Sequence, residues 1–318
     1  MPTHALRLFI LFASLTSIHA QHPWQQPKRL VPKATLEKLI GPLSAEAPSK
    51  ELKITWVWGY DANHRPGAHD YLKVRDLMTG LLKSVPKVAV DTAYHFPSKE
   101  QLEQADLLVM YLHLPQLTDG QYSDFKSYIA RGGGVVALHE TAIIRPASEG
   151  QKLASCLGMA WNEGPSHWGA IFEDISIENE HAIFQGFPDK LRIVDEFYWN
   201  LIEHKDVKIL GTVRTGPAGR SRGPLPEEKL SKERSPMFWT LESGKGRVFG
   251  TTTGHNTFTY YDPEFRIVLF RAIAWTMNEK PDPFMPLVYE GITNSERMVG
   301  TTDTMRDWKG KLRRPSGK

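Results

Sequence analysis

The chemistry-bearing residues of this chain gather where apolar runs stop. Five of its twelve histidines, His64, His69, His113, His139 and His255, fall just past the carboxyl end of a predicted strand. Two follow such ends closely: "GGGVVALHE" stops on His139 and Glu140, and "GRVFGTTTGHN" on His255 and Asn256. Asp61 and Asp70 share the first loop with His64 and His69. Several titratable rings at desolvated strand ends point to a shared task. A later run, "VDEFYW", adds two acids. Period-two alternation puts Val194, Glu196 and Tyr198 on one face and Asp195, Phe197 and Trp199 on the other. One acid therefore points inward, where burial demands a cation, a metal or a histidine beside it. A one-residue slip of register exchanges the two, so the pattern leaves open which acid it is.

Histidine beside carboxylate supports general acid–base work or a metal site. Other schemes lack parts. Cys156, the single cysteine, sits mid-helix in "QKLASCLG" with no glycine elbow, and no G-x-S-x-G occurs. There is no G-x-G-x-x-G after the first strand, and "RGGGVV" leads into a strand rather than a helix, so no nucleotide is expected. His19 and His22 flank the expected signal cut, and His95, His181 and His204 lie on polar stretches; all five read as bland, while His167, in "GPSHWGA", is undecided.

The elements that must position these residues alternate. "LKITWVWG" is a strand, followed by a loop and a helix over about 69–84; "KVAVDTAY" is the second strand. "SKEQLEQ" is a short helix capped by Ser98 with Gln101, and "ADLLVMYLH" the third strand. "TDGQYSDFKSYIARGG" is an amphipathic helix burying Tyr122, Phe125, Tyr128 and Ile129 and closed by Gly132; "GVVALH" is the fourth strand. Such alternation with apolar strands predicts an α/β fold, a mostly parallel sheet with helices on both faces. Ligands of open parallel sheets bind beyond the carboxyl ends of the strands. After Gly158 the chain becomes β-rich, through "AIFEDISIE", "KLRIVDEFYW", "VKILGTVR", "PMFWTLE" and "GRVFGTTTG", and closes with a helix over about 263–278.

Residues 1–20, with Arg7, an apolar run from Leu8 to Leu15 and Ala20 before Gln21, have the layout of a secretory signal peptide. Residues 21–50 read as an extended leader with a short helix near Thr35–Ile40, 51–280 as one domain, and 281–318 as a C-terminal tail that either wraps the surface or is disordered. The chain is expected to be exported, periplasmic or secreted, with no membrane insertion once the signal is removed. One cysteine allows no internal disulfide, so packing must hold the fold. The formal charge of +3, from 39 basic against 36 acidic residues, does not indicate nucleic acid. Nine tryptophans and ten tyrosines either fill the core or stack on carbohydrate. The segment 215–235 is charged and Gly/Pro-rich, expected as a mobile loop too polar to pack, either a lid or decoration.

Taken in order, "HD" after the first strand, "GGGVVALH", "DEFY", "GRVFGTTTGH" and "YYDPEFRIVLFRAIAW" resemble the trehalose-utilisation (ThuA-like) family, from about Lys53 to Met277. The resemblance implies a flavodoxin-like sheet akin to that of class I glutamine amidotransferases. It sets His139 where those enzymes carry their cysteine, which disfavours a glutaminase. It also implies a pocket shared by His69, His139, Asp195, Glu196, Gly254 and His255. The chain departs from the family in reading "ALHETA" where "GLHSA" is usual, and in its long, proline-bearing first loop.

The function implied is sugar-active: an exported lyase, hydrolase or isomerase acting on disaccharides or glycosides, including 3-keto forms. His139, Glu196, Glu140 and Asp195 are the catalytic candidates. His69, Asp70, Tyr198 and Asn256 are the substrate-binding candidates, and His69, His139 and His255 could hold a zinc-like divalent transition metal. The alternatives are a carbohydrate-binding protein without turnover and, last, an amide hydrolase.

Overall fold

The computed structural model describes residues 31–290 except 32, 45, 62, 65, 66 and 220–224, together with a short pairing of Met305–Arg306 and Leu312–Arg313. The expected signal peptide, the first ten leader residues and most of the tail lie outside the described residues.

A first helix, α1 (Lys33–Ile40), precedes the alternating half. That half runs β1 (Leu52–Trp58), α2 (Tyr71–Leu82), β2 (Val88–Tyr94), α3 (Lys99–Gln104), β3 (Leu107–Tyr111), α4 (Asp119–Ala130), β4 (Gly134–Leu138) and α5 (Gly150–Leu157). The β-rich half contributes β5 (Met159–Ala160), β6 (His167–Ile171), β7 (Ile175–Ile177), β8 (Lys190–Leu191), β9 (Asp195–Trp199), β10 (Ile202–Glu203), β11 (Lys208–Arg214), β12 (Arg234–Ser243) and β13 (Gly246–Thr251). Helix α6 (Pro263–Thr276) follows. Among the described residues the main sheet has nine strands, in the order β2-β1-β3-β4-β13-β12-β11-β7-β8. It is parallel from β2 to β13 and antiparallel beyond. The fold is thus mixed α/β and flavodoxin-like, with helices on both faces.

Alternation along the strands sorts two cores. Ile54 and Trp56, Val109 and Tyr111, Val136 and Leu138 pack with α2 and α6. Val57, Leu108, Met110, Val135 and Ala137 pack with α3, α4 and α5. Capping fixes the helix starts: Ser98 with Gln101 and Thr118 with Gln121 each form a reciprocal capping box. Asp262 accepts hydrogen bonds from the amides of Glu264 and Phe265 at the start of α6. The expected apolar face of α4, Tyr122 to Ile129, is buried. Among the described residues no helix is long and apolar enough to cross a membrane.

Four expectations need correction. Helix α2 begins at Tyr71, not His69, because the backbone at 67–69 is tied instead to 255–257. "KLRIVDEFYW" is not one strand: β8 closes the main sheet while β9 leaves it to pair antiparallel with β6. The segment 282–288 is no surface tail, because its 3-10 helix buries Phe284, Met285, Leu287 and Val288 in the core. The described part of 215–235 does pack: Thr215 is buried and bonded to Ser231, and Gly219 donates to the Trp168 carbonyl at 2.7 Å.

Candidate active site

Strand ends and one turn aim three imidazoles at a common point. His139 follows β4 directly and takes a left-handed backbone, φ 50°, which residues other than glycine rarely adopt. Its Nδ1 donates to the carbonyl of Thr252, one residue past the parallel neighbour β13, at 2.7 Å. The proton is therefore on Nδ1, and the Nε2 lone pair faces inward. Gly254, at φ 124°, turns the chain so that His255 follows; a Cβ there would lie 2.6 Å from the Tyr260 hydroxyl. His69 is carried to the same point by the loop stitched to that turn. Ala68 bridges Asn256, and the His69 amide donates to the His255 carbonyl at 2.9 Å.

The resulting triangle is tight. His69 Nε2 lies 3.1 Å from His139 Nε2 and 2.8 Å from His255 Nδ1, and the latter two are 3.3 Å apart. Glu196 Oε1 is 3.3 Å from His255 Nδ1, and the Tyr198 hydroxyl donates to His139 Nε2 at 2.8 Å. These four ligand groups, His69, His139, His255 and Glu196, are all buried. Nitrogens bound tetrahedrally to zinc at 2.0–2.1 Å would sit about 3.3 Å apart, so the donor set fits a divalent transition metal. No ion is present.

Carboxylates line the outer side of His69. Its Nδ1 lies 2.8 Å from Glu140 Oε2 and 3.2 Å from Asp61 Oδ2. Burial alone would lower the His69 imidazolium, but these two carboxylates outweigh it and push its pKa up to about 10. Burial, reinforced by the charges of His69 and His255, holds His139 well below the usual imidazole range, so it stays neutral. Burial would raise the Glu140 carboxyl, yet hydrogen bonds from His113 and His69 hold it well below its ordinary value. Glu140 also accepts the Tyr71 hydroxyl. His113 completes the chain, donating from Nδ1 to Glu140 at 2.8 Å and accepting from Arg145 Nε at 3.2 Å.

The two acids of "VDEFYW" part company on β9. Cross-strand partners share a face, and β6 sets Trp168 opposite Tyr198 and Ala170 opposite Glu196. That face looks into the site. Asp195, Phe197 and Trp199 occupy the other, packed on the main core with His167 opposite Trp199. Both acids are buried, which corrects the expectation that only one points inward. Asp195 accepts from Gly254 N at 2.9 Å, Asn256 Nδ2 at 2.6 Å and Thr259 Oγ1 at 2.8 Å, so it holds the histidine turn rather than facing the pocket. Asn256 is committed to that contact. Asp70 accepts from Gly67 N and Thr257 Oγ1 at 2.6 Å each, tying the two loops together.

Comparison with known proteins speaks to the family and the fold. The family model described as "ThuA: Trehalose utilisation" matches residues 57–276, well over half of the chain. The chain belongs to the ThuA family. A putative ThuA-like protein from Bacteroides uniformis is similar at 19% identity and TM-score 0.52, over 74% of this chain and 94% of that one. Another from Parabacteroides merdae is similar at 18% identity and TM-score 0.55, over 72% and 90%. At these identities the likeness speaks to fold. A comparison with curated proteins finds no match.

In this ThuA-family chain His69 and His255 floor an open pocket of about 640 Å³, a size that takes small organic ligands, with His139 fully buried against them. Its walls bring in Trp161, Trp168, Arg145 and Glu163, beside the expected His69, Glu140, Glu196, Tyr198 and His255. The tryptophans and Arg145 were not singled out in sequence. Trp168 had a usable signal, its place beside the undecided His167 in a strand that alternates. Arg145 and Trp161 lie on irregular segments without periodicity and had none.

Proposed function

We propose that this pocket is the active site of an exported, periplasmic or secreted enzyme that acts on disaccharides or glycosides, including 3-keto forms. The observation that carries this reading is the convergence of three buried imidazoles and Glu196 at a pocket walled by Trp161, Trp168 and Tyr198, which His69, His255 and Glu196 line while His139 is buried against them. Aromatic walls suit the apolar faces of sugar rings, and the floor suits acid–base work on a carbonyl-bearing sugar.

Each residue has a role in this reading. His69, His139 and His255, with Glu196 beside them, hold a zinc-like divalent metal. When bound, such an ion would polarise a substrate ketone as a Lewis acid. Glu196 on the pocket face is the base when the imidazoles are occupied; neutral His139 is the base otherwise. The base takes the acidified C–H proton next to a 3-keto group, and the electron pair left behind expels the glycosidic oxygen. Burial keeps the Tyr198 phenol protonated well above its ordinary range, so it can donate to a substrate oxygen. Glu140, ionised and anchored by three donors, orients His69.

The test is elemental analysis of the purified protein together with turnover of 3-keto-glycosides, for wild type and His139→Ala. The expected result is a stoichiometric transition metal and measurable turnover, both lost in the variant. Turnover retained in His139→Ala removes that residue from the chemistry. Glycan binding that survives His139→Ala, with no turnover in either protein, favours a carbohydrate-binding protein on the same fold.

A further inference from the structure

The imidazole of His69 is engaged on both edges. Its Nε2 belongs to the triangle with His139 and His255. Its Nδ1 faces a second donor set: Glu140 Oε2 at 2.8 Å, Asp61 Oδ2 at 3.2 Å and the Tyr71 hydroxyl at 3.4 Å. Nδ1 of His64 contacts the same Asp61 oxygen. The ligand atoms of Asp61, His64 and His69 lie within 4.8 Å of one another, as those of the first set do.

We propose that His69 bridges two divalent transition-metal ions. One sits on Nε2 among His139, His255 and Glu196; the second sits on Nδ1, held by Asp61, Glu140 and His64. This rests on the metal reading of the first set. One N–H needs one orienting acceptor, yet two carboxylates, each about nine-tenths buried, converge on Nδ1. As the second ion binds, the Nδ1 proton is released to solvent and His69 becomes an imidazolate. Two divalent ions then balance three carboxylates and that imidazolate. Mixed nitrogen and carboxylate donors on both sides suit zinc, manganese or iron. His64 is the loosest ligand, with a side chain 36% exposed and stacked on His69 at 3.8 Å.

The experiment counts metal. Full-length protein is stripped with a chelator and dialysed against zinc. Bound metal is then measured by plasma mass spectrometry for wild type, Asp61→Ala and His255→Ala, with circular dichroism checking the fold. Two ions per chain in wild type and one in Asp61→Ala are expected. One ion in wild type, unchanged in Asp61→Ala, overturns the second position and leaves the first. No bound metal overturns both positions. Two ions retained in Asp61→Ala place the second elsewhere and overturn this assignment. If Asp61→Ala misfolds, wild type loaded with copper(II) decides: ions joined through an imidazolate couple, weakening the paramagnetic resonance, whereas two uncoupled signals overturn the bridge.

Discussion

The two faces of β9 carry neighbouring acids with opposite surroundings. On the core face, Asp195 is met by a backbone amide, a carboxamide and a hydroxyl aimed at its oxygens. Burial nevertheless raises its pKa, and what it gains is a fixed turn at 254–259. On the pocket face, Glu196 touches His255 and looks into the open site. On β9 the carboxylate met by backbone and side-chain donors fixes the turn, whereas the one short of donors is available to a metal or a substrate. Adjacent residues of one type thus divide into support and reaction by the number of donors each face supplies.

Removing the support should have the larger effect on stability. Asp195→Ala strands buried donors on Gly254, Asn256 and Thr259, each costing roughly 1–3 kcal/mol when unmet. A loss of about 3 kcal/mol or more is expected in denaturant unfolding, with Asp195→Asn milder because it keeps one oxygen. A loss under about 1 kcal/mol would mean that the face is not a support at all.

Glu196→Gln should do the reverse. Its stability should stay within about 1 kcal/mol of wild type, because the amide keeps the shape and a polar contact to His255. Zinc affinity, read by competition with a chromophoric chelator, should fall by at least about tenfold. Unchanged affinity together with lost stability would exchange the roles assigned to the two faces.

Part of this division was legible in the chain. Alternation along "VDEFYW" already separated Glu196 and Tyr198 from Asp195, and the strand-end histidines His69, His139 and His255 do meet. Alternation could not say that both faces are covered, because that depends on β9 leaving the main sheet to lie between core and pocket. Nor could it show that Asp70 and Asn256 tie loops together instead of lining the pocket. Their partners, Thr257 for Asp70 and Asp195 for Asn256, are 187 and 61 residues away. The same holds for Phe284 to Val288, whose burial depends on α6 and not on any local period.

The smallest effect lies at the pocket's rim and sharpens the comparison most finely. Trp168 shares the Glu196 face through its pairing with Tyr198, yet it is 38% exposed and supplies no metal-ligating group. Exposed side chains away from caps and cores contribute little to stability, so Trp168→Ala should unfold within about 0.5 kcal/mol of wild type. An aromatic platform contributes about 0.5–1.5 kcal/mol beyond its buried area, so glycan affinity measured by calorimetry should fall by roughly threefold to tenfold. Metal content should not change, because the ligands lie below it. If glycan affinity is untouched, the sugar does not stack on this face. If metal content falls as well, the rim and floor are one structural unit, and the pocket face of β9 is itself a support.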